Sequence, residues 1–361
     1  MVDVFDRIGE DEYEQVIYCH DRRAGLRAIV AVHSTRLGPA LGGTRFFPFA
    51  TEDDALTDVL RLARAMTYKA AAAGLDLGGG KAVILGDPST DKTDVLLRAY
   101  GRFVEALGGR YVTAEDVGTT QADMDVIRRQ TRFVTGVSPA LGGSGDPSAA
   151  TATGVLEAMK ATARHLWGEA SLAGRHVTVS GVGKVGSHLV RHLATEGARV
   201  TVADADPDAV ARAIAAGAAT PVAAADAHRV ECDIFSPCAL GGALNSATIP
   251  ELGAAAVVGS ANNQLADPGC AKLLADAGVL YVADYVVNAG GLINLAEELA
   301  PGGYHPERAE AAVRRIFDTT TQLLELAQAE GLPTADAADR LAERRIDDLA
   351  RVQGIRTARP W

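Results

Sequence analysis

The chain has 361 residues, 48% hydrophobic and 22% charged, a balance that excludes disorder and suits a globular protein with a full core. Its 35 Lys+Arg against 46 Asp+Glu leave a net charge of −11, and so acidic a chain lacks the basic surface that nucleic-acid and membrane partners require. The four cysteines (Cys19, Cys232, Cys238, Cys270) form no CxxC pair and no Cys/His ligand spacing, so free thiols in a reducing compartment and no metal are expected.

In chain order, the acidic start MVDVFDRIGEDEYEQ has no apolar signal region, and no run approaches the ~18 apolar residues of a membrane span, so a cytoplasmic protein is expected. Residues 25–33 read as a strand. Thr51 to about Ala73 reads as a helix: Thr51 can cap it, Glu52, Asp53 and Asp54 suit the positive end of its dipole, and Leu56, Val59, Leu60, Ala63 and Met66 form an apolar stripe. Gly78-Gly79-Gly80 then leads into an apolar run from Ala82 to Leu85, and Tyr111-Val112-Thr113 is a further strand candidate ending at Ala114-Glu115-Asp116.

After LGGSGDPS (141–148) the pattern changes. A helix at about 151–166 precedes strands at 177–180, 199–203, 233–236, 255–258 and 279–282, with helices at 183–196 and 207–216 between the first of them. Short apolar strands alternating with helices imply βαβ units on a parallel sheet. Helical stretches at about 306–329 and 334–352 close the chain. The expected organisation is residues 1–145, an α/β domain over 146–330, and a terminal helix over 331–361 packing back on the first domain. The 38 glycines cluster beside apolar runs, where backbone approaches backbone or ligand.

Gly181-Val182-Gly183-Lys184-Val185-Gly186 follows a strand and opens a helix, and Asp204 ends the next strand. In that context GxGxxG is a dinucleotide fingerprint: a tight turn, backbone N–H groups for a pyrophosphate at the helix terminus, and close helix–strand packing. Asp204 can accept from both ribose hydroxyls and would repel a 2′-phosphate, favouring NAD. Later strands end in Pro237-Cys238-Ala239, in Gly259-Ser260-Ala261-Asn262-Asn263 and before Asn288-Ala289-Gly290-Gly291, turns expected to line the cofactor. Lys69 shares the apolar stripe of Leu62 and Met66, and Lys81 follows three glycines; a lysine pressed toward apolar surface snorkels outward, finds an anion or loses its proton more readily. Asp116 reads as a carboxylate at a strand end.

MTYKAAAAGLDLGGGKAVILGDP, YVTAEDVGTTQADMD, GPALGGTRF, the fingerprint, PCALGG, GSANNQL and DYVVNAGG together resemble the glutamate/leucine/phenylalanine/valine dehydrogenase family, nearest its leucine/valine branch, over about residues 13–350. The resemblance implies an N-terminal α/β substrate and oligomerisation domain, a C-terminal Rossmann domain with a cleft between them, and a homo-oligomer. Lys69 matches the lysine that grips the substrate carboxylate, Lys81 the catalytic lysine acting as general base, and Asp116 the aspartate that handles protons at the amino group. Gly42, Gly43 and Met66 would border the substrate, Asn262 would touch substrate and nicotinamide ribose, and Arg45 and Thr151 match cofactor contacts. Ala70, Thr153 and Ala283 depart from the family's usual asparagine, tyrosine and proline.

The implied chemistry is hydride transfer from an L-amino acid Cα to NAD, giving an iminium that water, activated by Lys81, converts to a 2-oxo acid and ammonium in a closing cleft. Leu41, Ala114, Leu292 and Leu295 match the side-chain pocket. All four are apolar, which argues against glutamate and for a short branched side chain, valine or isoleucine serving at least as well as leucine. Two rivals remain: an aromatic amino acid dehydrogenase on the same scaffold, and a non-catalytic NAD-binding regulator, which would have lost Lys69, Lys81 or Asp116.

Overall fold

The computed structural model describes residues 4–217 and 220–351. Two units, each built on one sheet, divide the chain. The first comprises the described residues up to Asp146, Leu295–Pro306, and the described residues from Ala342 on; the second comprises Pro147–Asn294 and Glu307–Leu341. Residues 295–306 thus lie within the stretch 146–330 of the sequence but group with the first unit. No helix among the described residues is long and apolar enough to cross a membrane.

The first unit runs α1 (Val4–Glu10), β1 (Gln15–Asp21), β2 (Leu26–Ser34), β3 (Ala40–Phe47), α2 (Glu52–Ala72), β4 (Gly78–Leu85), α3 (Asp94–Ala106), β5 (Tyr111–Glu115) and α4 (Gln121–Arg128). Its sheet has the order β1-β2-β4-β3-β5, with β4, β3 and β5 mutually parallel and β2 antiparallel to both β1 and β4. Thr51 caps α2, as the sequence predicts, and Asp54 returns the bond to close a reciprocal capping box. The helix buries Leu56, Val59, Leu60 and Ala63 against Ile29, Ala31 and Val83 of the sheet.

Two features of this sheet differ from the sequence reading. Gly78-Gly79-Gly80, read from sequence only as leading into the apolar run, already forms the first part of β4. The strand is buried on both faces, and a Cβ would fall 1.9 Å from the Ser34 carbonyl at position 78, 2.0 Å from the Thr67 amide at 79 and 2.8 Å from the Tyr111 ring at 80. Only glycine lets β4 lie this close to its neighbours. Strand β3 was masked in the same way by Gly42 and Gly43, which interrupt its apolar alternation.

The second unit carries α5 (Ser148–Trp167), β6 (His176–Ser180), α6 (Lys184–Thr195), β7 (Arg199–Ala203), α7 (Pro207–Ala215), β8 (Thr220–Pro221), β9 (Cys232–Pro237), β10 (Ala254–Val257), α8 (Gly269–Asp276), β11 (Leu280–Tyr281) and α9 (Asp284–Val287). There follow α10 (Gly290–Ala296), α11 (Pro306–Arg314), α12 (Ile316–Glu330) and α13 (Thr334–Ala350); α10, α11 and α13 each include residues of both groupings. The stretch expected as one helix over 306–329 is interrupted at Arg315. The sheet is parallel, ordered β11-β10-β9-β6-β7-β8. That is the doubly wound Rossmann order, with its reversal between β6 and β9.

Candidate active site

In the first unit, three parallel strands bring the candidate chemistry together. Lys81 lies in the middle of β4, and Asp116 immediately follows the carboxyl end of β5. The Lys81 side chain is only 7% exposed, and its Nζ sits 2.9 Å from Asp116 Oδ2. The lysine has therefore found an anion instead of snorkelling outward. Arg45, on β3, donates from Nε to the same Oδ2 at 3.1 Å and from Nη1 to Asp58 Oδ2, on α2, at 2.7 Å. Burial raises the Asp116 carboxyl, but the neighbouring Lys81 and Arg45 charges and the Val117 amide outweigh it and hold the group below the ordinary carboxylate range. Its own amide donates to the Thr119 hydroxyl at 2.9 Å.

The backbone of Gly42 and Gly43 is fixed against this pair. A Cβ on Gly42 would lie 1.7 Å from the Gly80 carbonyl, and one on Gly43 would lie 2.9 Å from Asp116 Cβ. The Tyr111 hydroxyl donates to the Gly42 carbonyl at 2.6 Å while its ring fills the space beside Gly80. Beneath them Thr44 Oγ1 lies 2.6 Å from both Tyr100 Oη and Thr113 Oγ1, and Thr119 Oγ1 donates to the Thr44 carbonyl. Burial pushes the Tyr111 phenol up to about 12 and raises Tyr100 well above its ordinary value, so both remain neutral hydrogen-bonding groups.

Lys69 and Met66 sit half-buried in the last turns of α2, the helix that packs across β4. Of the expected side-chain pocket, Leu41 and Ala114 are buried on the paired strands β3 and β5. Leu295 is buried with its Cδ2 against Gly136 of the same unit, and Leu292 is buried in the second unit. Arg45, which the resemblance assigns to the cofactor, is engaged here by Asp58 and Asp116. Sequence reading did not single out Asp58, Thr119, Tyr111, Tyr100, Thr44 or Thr113. Nothing distinguishes Asp58 from the other acids of α2 until Arg45 folds over it.

In the second unit the fingerprint turn joins β6 to α6. Gly181 takes a left-handed φ of 102° and donates its N–H to the Ala203 carbonyl at 2.7 Å; a Cβ there would meet Ala239 at 2.6–2.8 Å. A Cβ on Gly186 would fall 1.9 Å from the Gly181 carbonyl, so the helix packs directly on the turn. Gly183 is the opposite case: nothing lies within 4 Å of its Cβ position. That open volume, at the positive end of a 12-residue helix begun by Lys184 and Val185, fits a pyrophosphate. Asp204 immediately follows β7 and accepts from the amides of Val182 (2.8 Å) and Asp206 (2.9 Å), which fixes its carboxylate beside the turn. Cys238 and Ala239 leave β9 across the strand reversal, the Cys238 amide bonding the Ser180 carbonyl. Asn288 Nδ2 donates to Asn262 Oδ1 at 2.9 Å, so these two predicted residues meet, and Thr151, bonded to the Pro147 carbonyl, lies beside Gly291. These residues could hold a dinucleotide.

Residues 13–133 match the family described as Glu/Leu/Phe/Val dehydrogenase, dimerisation domain, and residues 142–212 and 208–354 match Glutamate/Leucine/Phenylalanine/Valine dehydrogenase. A leucine dehydrogenase of Geobacillus stearothermophilus is 51% identical over 98% of this chain and 95% of its own length. A valine dehydrogenase of Streptomyces coelicolor is 56% identical over 92% of each. Among solved structures, L-tryptophan dehydrogenase from Nostoc punctiforme superposes with a TM-score of 0.86 at 44% identity, covering 96% of this chain and 100% of that one. A hetero-hexameric glutamate dehydrogenase from Thermus thermophilus gives 0.77 at 27%, covering 96% and 91%.

Proposed function

Because this chain belongs to the Glu/Leu/Phe/Val dehydrogenase family, we propose that it catalyses the NAD-dependent, reversible oxidative deamination of a branched-chain L-amino acid (valine, leucine or isoleucine) to the 2-oxo acid, ammonia and NADH. It is an amino acid dehydrogenase, and the observation that carries the reading is the pairing of the buried Lys81 with Asp116, 2.9 Å apart. Bound NAD supplies the hydride acceptor. Lys69 pairs with the substrate carboxylate. Asp116 takes a proton from the substrate ammonium, exposing the nitrogen lone pair. Lys81, in its deprotonated amine form, removes a proton from the water that attacks the imino carbon, and returns it to the nitrogen as ammonia leaves. The Gly42 and Gly43 backbone borders the substrate, and the buried apolar side chains Leu41 and Ala114 beside it suit an apolar substrate side chain rather than a second carboxylate.

NAD over NADP is supported by Asp204, whose carboxylate would repel a 2′-phosphate. We read the enzyme as a homo-oligomer, in keeping with the dimerisation-domain description of its N-terminal match, and as cytoplasmic, in keeping with four free thiols. An aromatic preference is the second reading, favoured by the likeness to L-tryptophan dehydrogenase. The test is NADH- or NADPH-driven reductive amination of a panel of 2-oxo acids with ammonium. The branched acids are expected to give the highest kcat/KM with NADH; an aromatic 2-oxo acid above all branched ones overturns the substrate assignment, and a preference for NADPH overturns the cofactor.

A further inference from the structure

We infer that Asp58 is a positioning residue of the proposed reaction, acting through Arg45: by engaging one edge of the guanidinium it limits how strongly Arg45 grips Asp116. The inference rests on the dehydrogenase reading for its consequence in turnover, but its physical content is in the geometry.

Arg45 bridges two carboxylates with different atoms of one planar group, Nη1 to Asp58 at 2.7 Å and Nε to Asp116 at 3.1 Å. A guanidinium has a fixed fork, so the Asp58 contact sets the direction in which Nε points. The Asp58 side chain is 14% exposed and Arg45 22%, so the bridge is only partly screened by water. Four groups thus alternate in sign: Asp58, Arg45, Asp116, Lys81. Without the Asp58 charge, Asp116 would face two cations on one oxygen with nothing drawing either away. A carboxylate so held is a poor acceptor for the proton of a substrate ammonium.

Every element around Asp116 contributes to this balance. Lys81 faces it from β4 and Arg45 from β3. Tyr111 faces it from β5 as a neutral phenol, and the Val117 amide and Thr119 hydroxyl face it from the following turn. Asp58 stands behind Arg45 on α2, and the exposed Arg61 stands behind Asp58 at 3.3 Å. Beyond the turn, Lys92 pairs with Asp123 and bonds the Gly118 carbonyl. Among these, Asp58 is the acid joined to Asp116 through a shared cation.

Asp58→Asn keeps an acceptor oxygen for Nη1 but removes the charge. The titration of the Asp116 carboxyl, followed by 13C NMR on the full-length protein, is expected to shift down by about half a pH unit. The acidic limb of kcat/KM should move down with it and kcat should fall about five-fold, while KM for NAD stays at the wild-type value. Asp58→Glu, which retains the charge, should keep the wild-type titration. An unmoved or upward titration in Asp58→Asn overturns the inference, as does a fall in kcat with the acidic limb in place, which marks a merely structural residue. A wild type inert toward every 2-oxo acid defeats the dehydrogenase reading instead, and the carboxyl titration still decides the coupling.

Discussion

The two units prepare for their ligands in opposite ways. In the first, charged side chains are buried or half-buried and already satisfied by one another: Lys81, Asp116, Arg45 and Asp58 form a continuous series of contacts between 2.7 and 3.1 Å. In the second, the fingerprint turn offers backbone, an open volume at Gly183 and a carboxylate fixed by two amides. On the proposed reading, the first arrangement is preorganised for moving protons, because its charges are held in place before the reaction begins. The second is preorganised for recognition of a constant chemical group, which needs donors and space more than it needs titratable residues.

The sharpest way to break this comparison is to remove a charge from the first unit. Lys81→Ala should lower kcat by about a thousand-fold while NADH binding, followed by its fluorescence, stays at the wild-type value. A comparable loss of NADH binding would mean that the division of labour between the units is false.

A pair of glycine substitutions gives the next largest effect. Gly42→Ala drives a Cβ to within 1.7 Å of the Gly80 carbonyl and should cost about 3 kcal/mol, read as a large drop in Tm. Gly183→Ala meets no atom within 4 Å and should leave Tm nearly unchanged while raising KM for NAD several-fold. Equal Tm values for the two variants would remove the distinction between a packed and an open glycine.

The smallest effect is the dependence of stability on pH. The Asp116 carboxyl is held below its ordinary value, so the stability it confers is present above the ordinary carboxylate pKa and is lost as pH falls through the lowered one. Asp116→Asn should therefore be less stable than wild type at neutral pH, and the difference in Tm should narrow on acidification below about pH 4. A difference that widened in acid would reverse the sign assigned to Lys81 and Arg45.

This contrast also explains what could be read in advance. The fingerprint is six consecutive residues between a strand and a helix, and its neighbours along the chain supply its meaning, so the Rossmann unit was legible from local pattern. Asp116 and Arg45 are 71 residues apart, and no periodicity links them. Strand β3 and the first half of β4 were hidden because close backbone packing had replaced their apolar side chains with glycines. Lys69, Lys81 and Asp116 were found through long motifs rather than through physics of spacing. Asp58 belongs to no such motif, and the hydroxyls of Tyr100, Tyr111, Thr44 and Thr113 act as a floor beneath the strands rather than as a feature of any one of them.

The Tyr111 ring lies where position 80 would otherwise carry a side chain, and its hydroxyl holds the Gly42 carbonyl. Positions 80 and 111 therefore share one volume: a side chain at the first fits only if the ring at the second gives way, and a smaller residue there loses the tether on Gly42. The bare backbone of β4 is the counterpart of its neighbour's bulk.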